Sequence, residues 1–508
     1  MTPRKWLAWS LAAAVLLAPT LAQAGTLTVF YLVRHAEKAA GGGDVPLAPE
    51  GVRRAVELRD VLQNAPLAAI YTTGLTRTRE TAAPVADDSN LGLRPYPEDP
   101  ATSVADWAAE LAARHEGQQV LIVGHSGAMS DEYSIPSIAA ALSGAQVAAI
   151  PEAEYDNLYV VTIHKGELGG ETRELTRQRY GTLERVGALR IAPGGEPVFE
   201  AGDISAIVAD GTRLVIGADE GDSIQVLRRA ADGAYLPGAP LPLGGEDELD
   251  IEGIARGADQ TYYVVGSHSR RRKAVDPFDA ESLEREYAKN RERMLADEIG
   301  SEKSRTRLYR FKFDPAGAPG DWPPADLDDI RLRDVFQAHP VLSAFEPLPS
   351  KENGIDVEGI AADGDDLFLG FRGPVLRNGF VPVLRLRFDE QDDNEILYVN
   401  LDGRGIRDLV RVEDGFLIIA GPVGDAPLSY LLYHWDGADT LPGVRGVGEP
   451  ARGTITLLGR IPTPAGGKAE GLALLDQSDG AYEVVIAYDS VDGGGLQVLR
   501  APRPGPSS

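Results

Sequence analysis

Leu27-Thr28-Val29-Phe30-Tyr31-Leu32-Val33-Arg34-His35-Ala36 decides how the N-terminal part of the chain reads. An apolar, strand-like run passes directly into an arginine, a histidine and small residues. Further on, Leu121-Ile122-Val123-Gly124-His125-Ser126 repeats the pattern with a second histidine. In an open α/β sheet, the carboxyl ends of the strands are where side chains meet a ligand. Around these two runs, strand-like stretches at 27–33, 67–72, 119–124 and 157–163 alternate with helix-like stretches at 49–63, 76–86, 103–115 and 135–143. The alternation predicts an α/β domain over 26–165, with a mainly parallel sheet and helices on both faces.

Two histidines at strand ends suit phosphoryl transfer. That chemistry needs a nucleophile, cations around the equatorial oxygens and an acid for the leaving alcohol. Arg34 and His35 offer a donor fork and a nucleophile from one strand end. The segment from Ile70 to Ala82 carries Arg77 where a strand passes into a helix, and a helix N-terminus there adds backbone donors for an anion. His125 supplies a partner imidazole. Taken singly, a histidine after a strand is more often a packing residue, and an arginine at a helix start a surface ion-pair partner. Their joint occurrence argues for catalysis. The acid has no comparable signature: Glu98 and Asp99 lead, Glu98 being preferred, with Asp131 and Glu132 as rivals, and any of these is by default a solvated loop carboxylate.

These residues resemble the histidine phosphatase (phosphoglycerate mutase-like) superfamily. Its Arg-His-Gly motif stands here as Arg34-His35-Ala36. Its Ser-x-Leu-x-Arg-x-x-x-Thr-Ala segment stands as Thr73-Gly74-Leu75-Thr76-Arg77-Thr78-Arg79-Glu80-Thr81-Ala82, and Gly-His-Ser as Gly124-His125-Ser126. Ala36 departs from the more usual glycine, and 127–134 looks like an insertion. The resemblance implies a phosphohistidine intermediate on His35, phosphate held by Arg34, Arg77 and His125, and no metal or other cofactor.

With 508 residues the chain is too long for one ordinary core. Arg4 and Lys5 precede the apolar stretch from Trp6 to Leu17, and Leu21-Ala22-Gln23-Ala24 precedes Gly25. This pattern reads as a signal peptide over 1–24, so the expected location is periplasmic or secreted, with no membrane attachment after cleavage. There is no cysteine, which excludes disulfides, thiolate metal sites and a lipidated cysteine. A formal charge of −27 disfavours nucleic acid and anionic lipid as partners. A phosphorylated small-molecule substrate therefore needs local positive charge, which the two arginines and two histidines provide.

Polar residues 166–182 read as a linker. From 183 to 503 the texture becomes short β-rich runs with Asp-Gly, Gly-Gly and Pro turns, and a repeat emerges. Asp250-Ile-Glu252-Gly-Ile-Ala, Asp356-Val-Glu358-Gly-Ile-Ala and Lys468-Ala-Glu470-Gly-Leu-Ala each begin a set of three short strands. Looser copies start at Asp203-Ile-Ser205 and Gly405-Ile-Arg407. Repeats roughly fifty residues apart with several strands each predict an all-β propeller. A β-sandwich also has short strands, but gives no reason for a glutamate to recur. Five blades are visible, a sixth has room in 316–350, and 183–191 can close the ring as an outer strand of the last blade. Residues 273–305 read as a charged, helical insertion between two strands of one blade.

In that arrangement Glu252, Glu358 and Glu470 converge on one channel mouth, with Ser205 and Arg407 at the matching places. Asp219, His268, Arg372 and Asp489 lie at the second-strand exits. Such a ring suits a polar ligand or a cation, calcium being the one that oxygen ligands favour. Equally, recurring glutamates can simply tie neighbouring blades through backbone N–H groups. The Glu-Gly-[Ile/Leu]-Ala repeats are similar to those of DUF3616-type domains of unknown function and, more distantly, of phytase-like propellers; the resemblance names no substrate or protein partner. The leading expectation is an exported phosphomonoesterase. The alternatives are a ligand-binding or scaffold propeller with an inactive phosphatase domain, and hydrolysis in the propeller itself.

Overall fold

The computed structural model describes residues 25–97, 101–127, 132–152, 154–166, 170–192, 203–244, 248–273, 283–295, 299–300, 303–312, 324, 326–424, 426, 428–441, 453–478, 480–491 and 495–504. The signal-peptide reading of 1–24, and Glu98, Asp99 and Asp131, lie outside them.

The N-terminal domain is a six-stranded mixed sheet in the order β3-β2-β4-β1-β5-β6. Its strands are β1 (Thr26–Arg34), β2 (Leu67–Thr72), β3 (Leu93–Pro95), β4 (Gln119–Gly124), β5 (Asn157–Lys165) and β6 (Glu171–Arg179). The first four run parallel, and β5 and β6 complete one edge antiparallel. Parallel strands covered on both faces read as unbroken apolar runs; Val120 to Val123 are accordingly all buried. Helices α1 (Pro49–Leu62) and α2 (Thr76–Ser89) pack on one face through Leu58, Val61, Ala82 and Val85. Helices α3 (Val104–Arg114) and α4 (Ile135–Ser143) cover the other through Trp107, Leu111, Ile135 and Ile138.

The linker reading of 166–182 gives way to β6, which pairs with β5 along its whole length. Its residues are exposed or half-buried, and Arg173, Arg177 and Arg179 form ion pairs with acidic neighbours. A polar edge strand lacks the apolar alternation by which strands are recognised.

The C-terminal part is a propeller of five antiparallel sheets. The inner strands are Ile204–Asp210, Ile251–Arg256, Asp356–Asp363, Gly405–Val412 and Lys468–Gln477. Glu184–Ala188 pairs antiparallel with Gln497–Pro502, so a segment ahead of the first blade closes the last one. No sixth blade occurs among the described residues of 316–350: Asp328–Arg331 is the outer strand of the second blade, and α6 (Arg333–Ala338) follows it. The insertion lies between the second and third strands of that blade and contains α5 (Leu283–Glu292).

The sequence repeat has a conformational cause. Every inner strand shifts register at the same place, at Ser205, Glu252, Glu358, Arg407 and Glu470. A bulge re-aims a side chain and recurs where the same local geometry is needed. The glycine that follows has a separate reason: a Cβ on Gly359 would lie 2.8 Å from Asp408 Cα in the next blade.

The two parts share a polar contact along α1. Buried Arg404 donates to the Asp60 and Ser429 carbonyls at 3.0 Å each, and Asn64 donates to the Asp402 carbonyl at 2.8 Å. Thr182 donates to Glu57, and Arg460 pairs with Asp60 at 3.4 Å.

Candidate active site

Strands β1 and β4 are parallel neighbours with Arg34 opposite Gly124. Their carboxyl ends therefore release His35 and His125 side by side. The His35 amide donates to the Gly124 carbonyl at 2.8 Å, and the two rings meet edge to face with centroids 5.4 Å apart. Gly124 has no room for a side chain, since a Cβ would collide with Tyr96 Oη.

His35 is buried, and its Nδ1 lies 2.7 Å from the Ala36 carbonyl oxygen. A carbonyl can only accept, so Nδ1 carries the proton and Nε2 the lone pair. Burial first, then the charges of His125, Arg34 and Arg77, push the imidazole pKa down to about 3, against the Ala36 hydrogen bond. A ring that stays neutral at ordinary pH is a competent nucleophile.

Arg34 is 5% exposed, and its Nη1 donates to the carbonyls of Pro151, Glu152 and Glu154 at 3.2, 2.8 and 3.1 Å. Arg77 Nη1 donates to the Gly43 carbonyl at 3.3 Å. The Nε of each arginine is buried and has no acceptor among the described residues. A buried donor left unsatisfied costs about 1–3 kcal/mol, a deficit that a phosphoryl oxygen can remove. The four residues singled out from the sequence thus surround one locus: each of the other three acts electrostatically on His35.

The helix N-terminus expected to bind the anion is partly engaged already. Asp44 accepts from the Thr76 amide at 2.7 Å and from its hydroxyl at 2.9 Å. Of the candidate acids, Glu132 accepts weakly from the Val104 amide at the start of α3, at 3.4 Å.

Three further residues shape the site without having been assigned roles in advance. Thr73 Oγ1 lies 3.2 Å from His125 Nε2. Thr81 accepts from the Ala36 amide at 2.9 Å and donates to the Arg77 carbonyl at 2.7 Å, tying α2 to the nucleophile loop. Tyr155 lies over Arg34, with the guanidinium carbon 4.1 Å from its ring centroid, and its ring is 6.1 Å from that of His35. The one available signal for Tyr155 is an isolated aromatic in an acidic loop ahead of β5.

The propeller mouth is organised differently. Arg407 bridges Glu358, at 2.9 Å, and Glu470, so three blades are tied through one guanidinium. Arg372 pairs with Asp356 and, at 2.7 Å, with Glu358. Ser205 donates to the Ile251 carbonyl at 2.5 Å. Glu252 has no ion-pair partner among the described residues; burial and the neighbouring Glu358, Asp250 and Asp356 hold its carboxyl well above the usual range. Burial and nearby Asp489, Asp250 and Asp203 likewise push Asp219 up to about 7, and Asp489 pairs with Lys468. His268 is buried with its Nδ1 2.7 Å from the Gly266 carbonyl oxygen and its ring against Phe336 of α6; its described contacts are there, not with the carboxylates. No cluster of three acidic or histidine side chains suited to a metal occurs among the described residues. Farther along, residues from all five inner strands line a cavity of about 180 Å³.

An α/β domain with an arginine–histidine pair at a strand end, joined to a five-bladed propeller, defines the class. Residues 30–101 match the model of the histidine phosphatase superfamily (branch 1). Residues 203–497, more than half of the chain, match a model described as a protein of unknown function (DUF3616), and the chain belongs to that family. Solved structures with a similar fold include the mycobacterial glucosyl-3-phosphoglycerate phosphatase, at 18% identity over 29% of this chain and 97% of that one (TM-score 0.23). A phosphoglycerate mutase from Bacillus anthracis is 18% identical over 30% and 93% (TM-score 0.22). The Bacillus stearothermophilus protein YhfR is 20% identical over 29% and 95% (TM-score 0.22). No curated protein matches the sequence.

Proposed function

We propose that the chain is an exported phosphomonoesterase that works through phosphohistidine, with 1–24 as its export signal. The observation that carries this reading is a neutral His35, its Nδ1–H held by Ala36, set beside two buried guanidinium N–H groups that lack acceptors. In the reaction, the Nε2 lone pair forms a bond to phosphorus as the P–O ester bond breaks. The leaving alcohol takes a proton from an acid, a role assigned to Glu98. Arg34, Arg77 and His125 bind the charge of the phosphoryl oxygens. Water then attacks phosphorus, its proton returning to the acid as the P–N bond breaks, and phosphate leaves with His35 neutral again. The propeller is read as a module for a ligand or partner, attached along α1.

Turnover of p-nitrophenyl phosphate, with trapping of a base-stable, acid-labile phosphoprotein by an alkaline detergent quench, tests the proposal. Activity retained with chelator and lost in His35→Ala supports it. Activity abolished by chelator and indifferent to His35 would move hydrolysis to the propeller.

A further inference from the structure

We infer that Tyr155 is a positioning residue of the phosphate site, acting through Arg34. This rests on the phosphatase reading and deepens it. Arg34 is a long side chain with much rotamer freedom to lose, and a phosphoryl group needs its guanidinium in one plane. The stretch from Pro151 to Tyr155 provides that restraint. Three main-chain carbonyls share the hydrogens of Nη1, which fixes one edge of the fork. The Tyr155 ring then lies over the guanidinium at 4.1 Å, within cation–π distance, and limits its rotation. The tyrosine is itself held, because the buried Tyr180 donates its hydroxyl to the Tyr155 carbonyl at 3.0 Å. With one edge engaged and one face covered, the guanidinium with its unsatisfied Nε is held rather than free to swing.

The same ring flanks His35 at 6.1 Å and helps exclude water from it. The charged or titratable groups bearing on His35 are Arg34 from β1, Arg77 from α2, His125 after β4 and Tyr155 from the loop before β5. Both contacts of Tyr155 are made by its ring, so phenylalanine should replace it and alanine should not.

The test uses full-length chain with wild-type, Tyr155→Phe, Tyr155→Leu and Tyr155→Ala forms. Circular dichroism and melting first establish which are folded; the leucine form retains bulk without a π face if the alanine form is not. Tyr155→Phe is expected to stay within about 3-fold of wild type in kcat/KM. Misplacing a reacting or binding group by about 1 Å can cost ~10²-fold, and a loss of that order is expected in Tyr155→Ala, with KM and the inhibition constant of inorganic phosphate both raised. The acid limb of its pH profile should also move up towards that of an ordinary imidazole, a change that mere loss of stability does not produce. An alanine or leucine form with wild-type KM and an unmoved acid limb overturns the inference. Direct calorimetric binding of inorganic phosphate separates it from the reading on which it rests. Wild type that binds phosphate but turns nothing over sinks the phosphatase reading alone, and binding weakened at least about 10-fold in Tyr155→Ala but not Tyr155→Phe still upholds Tyr155. Equal binding in all forms, or none in wild type, overturns it.

Discussion

The chain carries two clusters of arginines with ionisable partners, and they are built on opposite plans. At the end of β1, Arg34 and Arg77 bond to backbone carbonyls, leave an Nε unsatisfied each, and face an imidazole kept neutral. At the propeller mouth, Arg372 and Arg407 are already paired with carboxylates: Arg372 within its own blade, and Arg407 across to the blades on either side. The first cluster has no carboxylate in ion-pair contact with either guanidinium among the described residues. The second holds carboxylates at ion-pair distance, although the Nε atoms of Arg372 and Arg407 likewise lack a well-aligned hydrogen-bond acceptor. The difference therefore lies in whether a carboxylate sits within the cluster, not in whether an Nε is left over, and both sets of residues stand out in the sequence.

The sharpest way to break that distinction is to remove one residue from each cluster. His35→Ala should abolish phosphatase turnover, by at least about 10³-fold, since no other group supplies the nucleophile. Its melting temperature should change little. Arg407→Ala should do the reverse: it leaves the buried Glu470 without its cation while Glu358 keeps Arg372, and breaking a buried pair costs about 3–5 kcal/mol. Denaturant unfolding measures that loss, and kcat per folded molecule should stay at the wild-type value. An Arg407→Ala protein of normal stability but impaired turnover would reverse the roles given to the two clusters.

A smaller effect is expected from Arg77→Ala. One cationic contact to the transferred group is removed while His35 and Arg34 remain, so kcat/KM should fall by about 10²-fold. Arg77→Lys restores charge without the fork and should recover only part of the loss. Full recovery by lysine would show that Nε geometry is irrelevant and that bulk positive charge suffices.

Much of this contrast was legible before any coordinates. Arg34, His35, Arg77 and His125 are local signatures at strand ends, where sequence and position in the sheet are tightly linked. The Glu-Gly-Ile-Ala repeat was legible as a repeat because a bulge and a close blade contact impose the same two residue types each time. What those glutamates touch was not, since the partner of Glu470 is Arg407, sixty-three positions away in another blade. Asp44 at the Thr76 amide was hidden for the same reason, a loop carboxylate meeting a helix across a gap in sequence. Tyr155 sits in a polar loop without periodicity, and only the fold lays its ring over Arg34. Strand β6 escaped because it hides no apolar face.

The mildest change addresses the one mouth residue that breaks the propeller's own rule. Burial and the like charges of Glu358, Asp250 and Asp356 outweigh the one cation that acts on Glu252, Arg372, so the folded chain holds its proton to higher pH than the unfolded chain does. With the native pKa above the unfolded one, its contribution to stability is fully present below about pH 4.3, the free glutamate value. That contribution is lost as pH rises through the native pKa, because the native state must then bear a carboxylate among neighbours of its own sign. Glu252→Gln keeps the shape and removes the titration. It should match wild type below the free-glutamate pKa and melt progressively later than wild type as pH rises through the raised native pKa. His35 contributes the opposite slope, since its native pKa is depressed: unfolding binds a proton there, and stability falls as pH drops from about 6.5 towards 3. A glutamine variant whose melting temperature falls as steeply on the alkaline side as wild type would mean that Arg372 already compensates the Glu252 carboxylate. This corner of the mouth would then be as fully paired as Glu358 and Glu470.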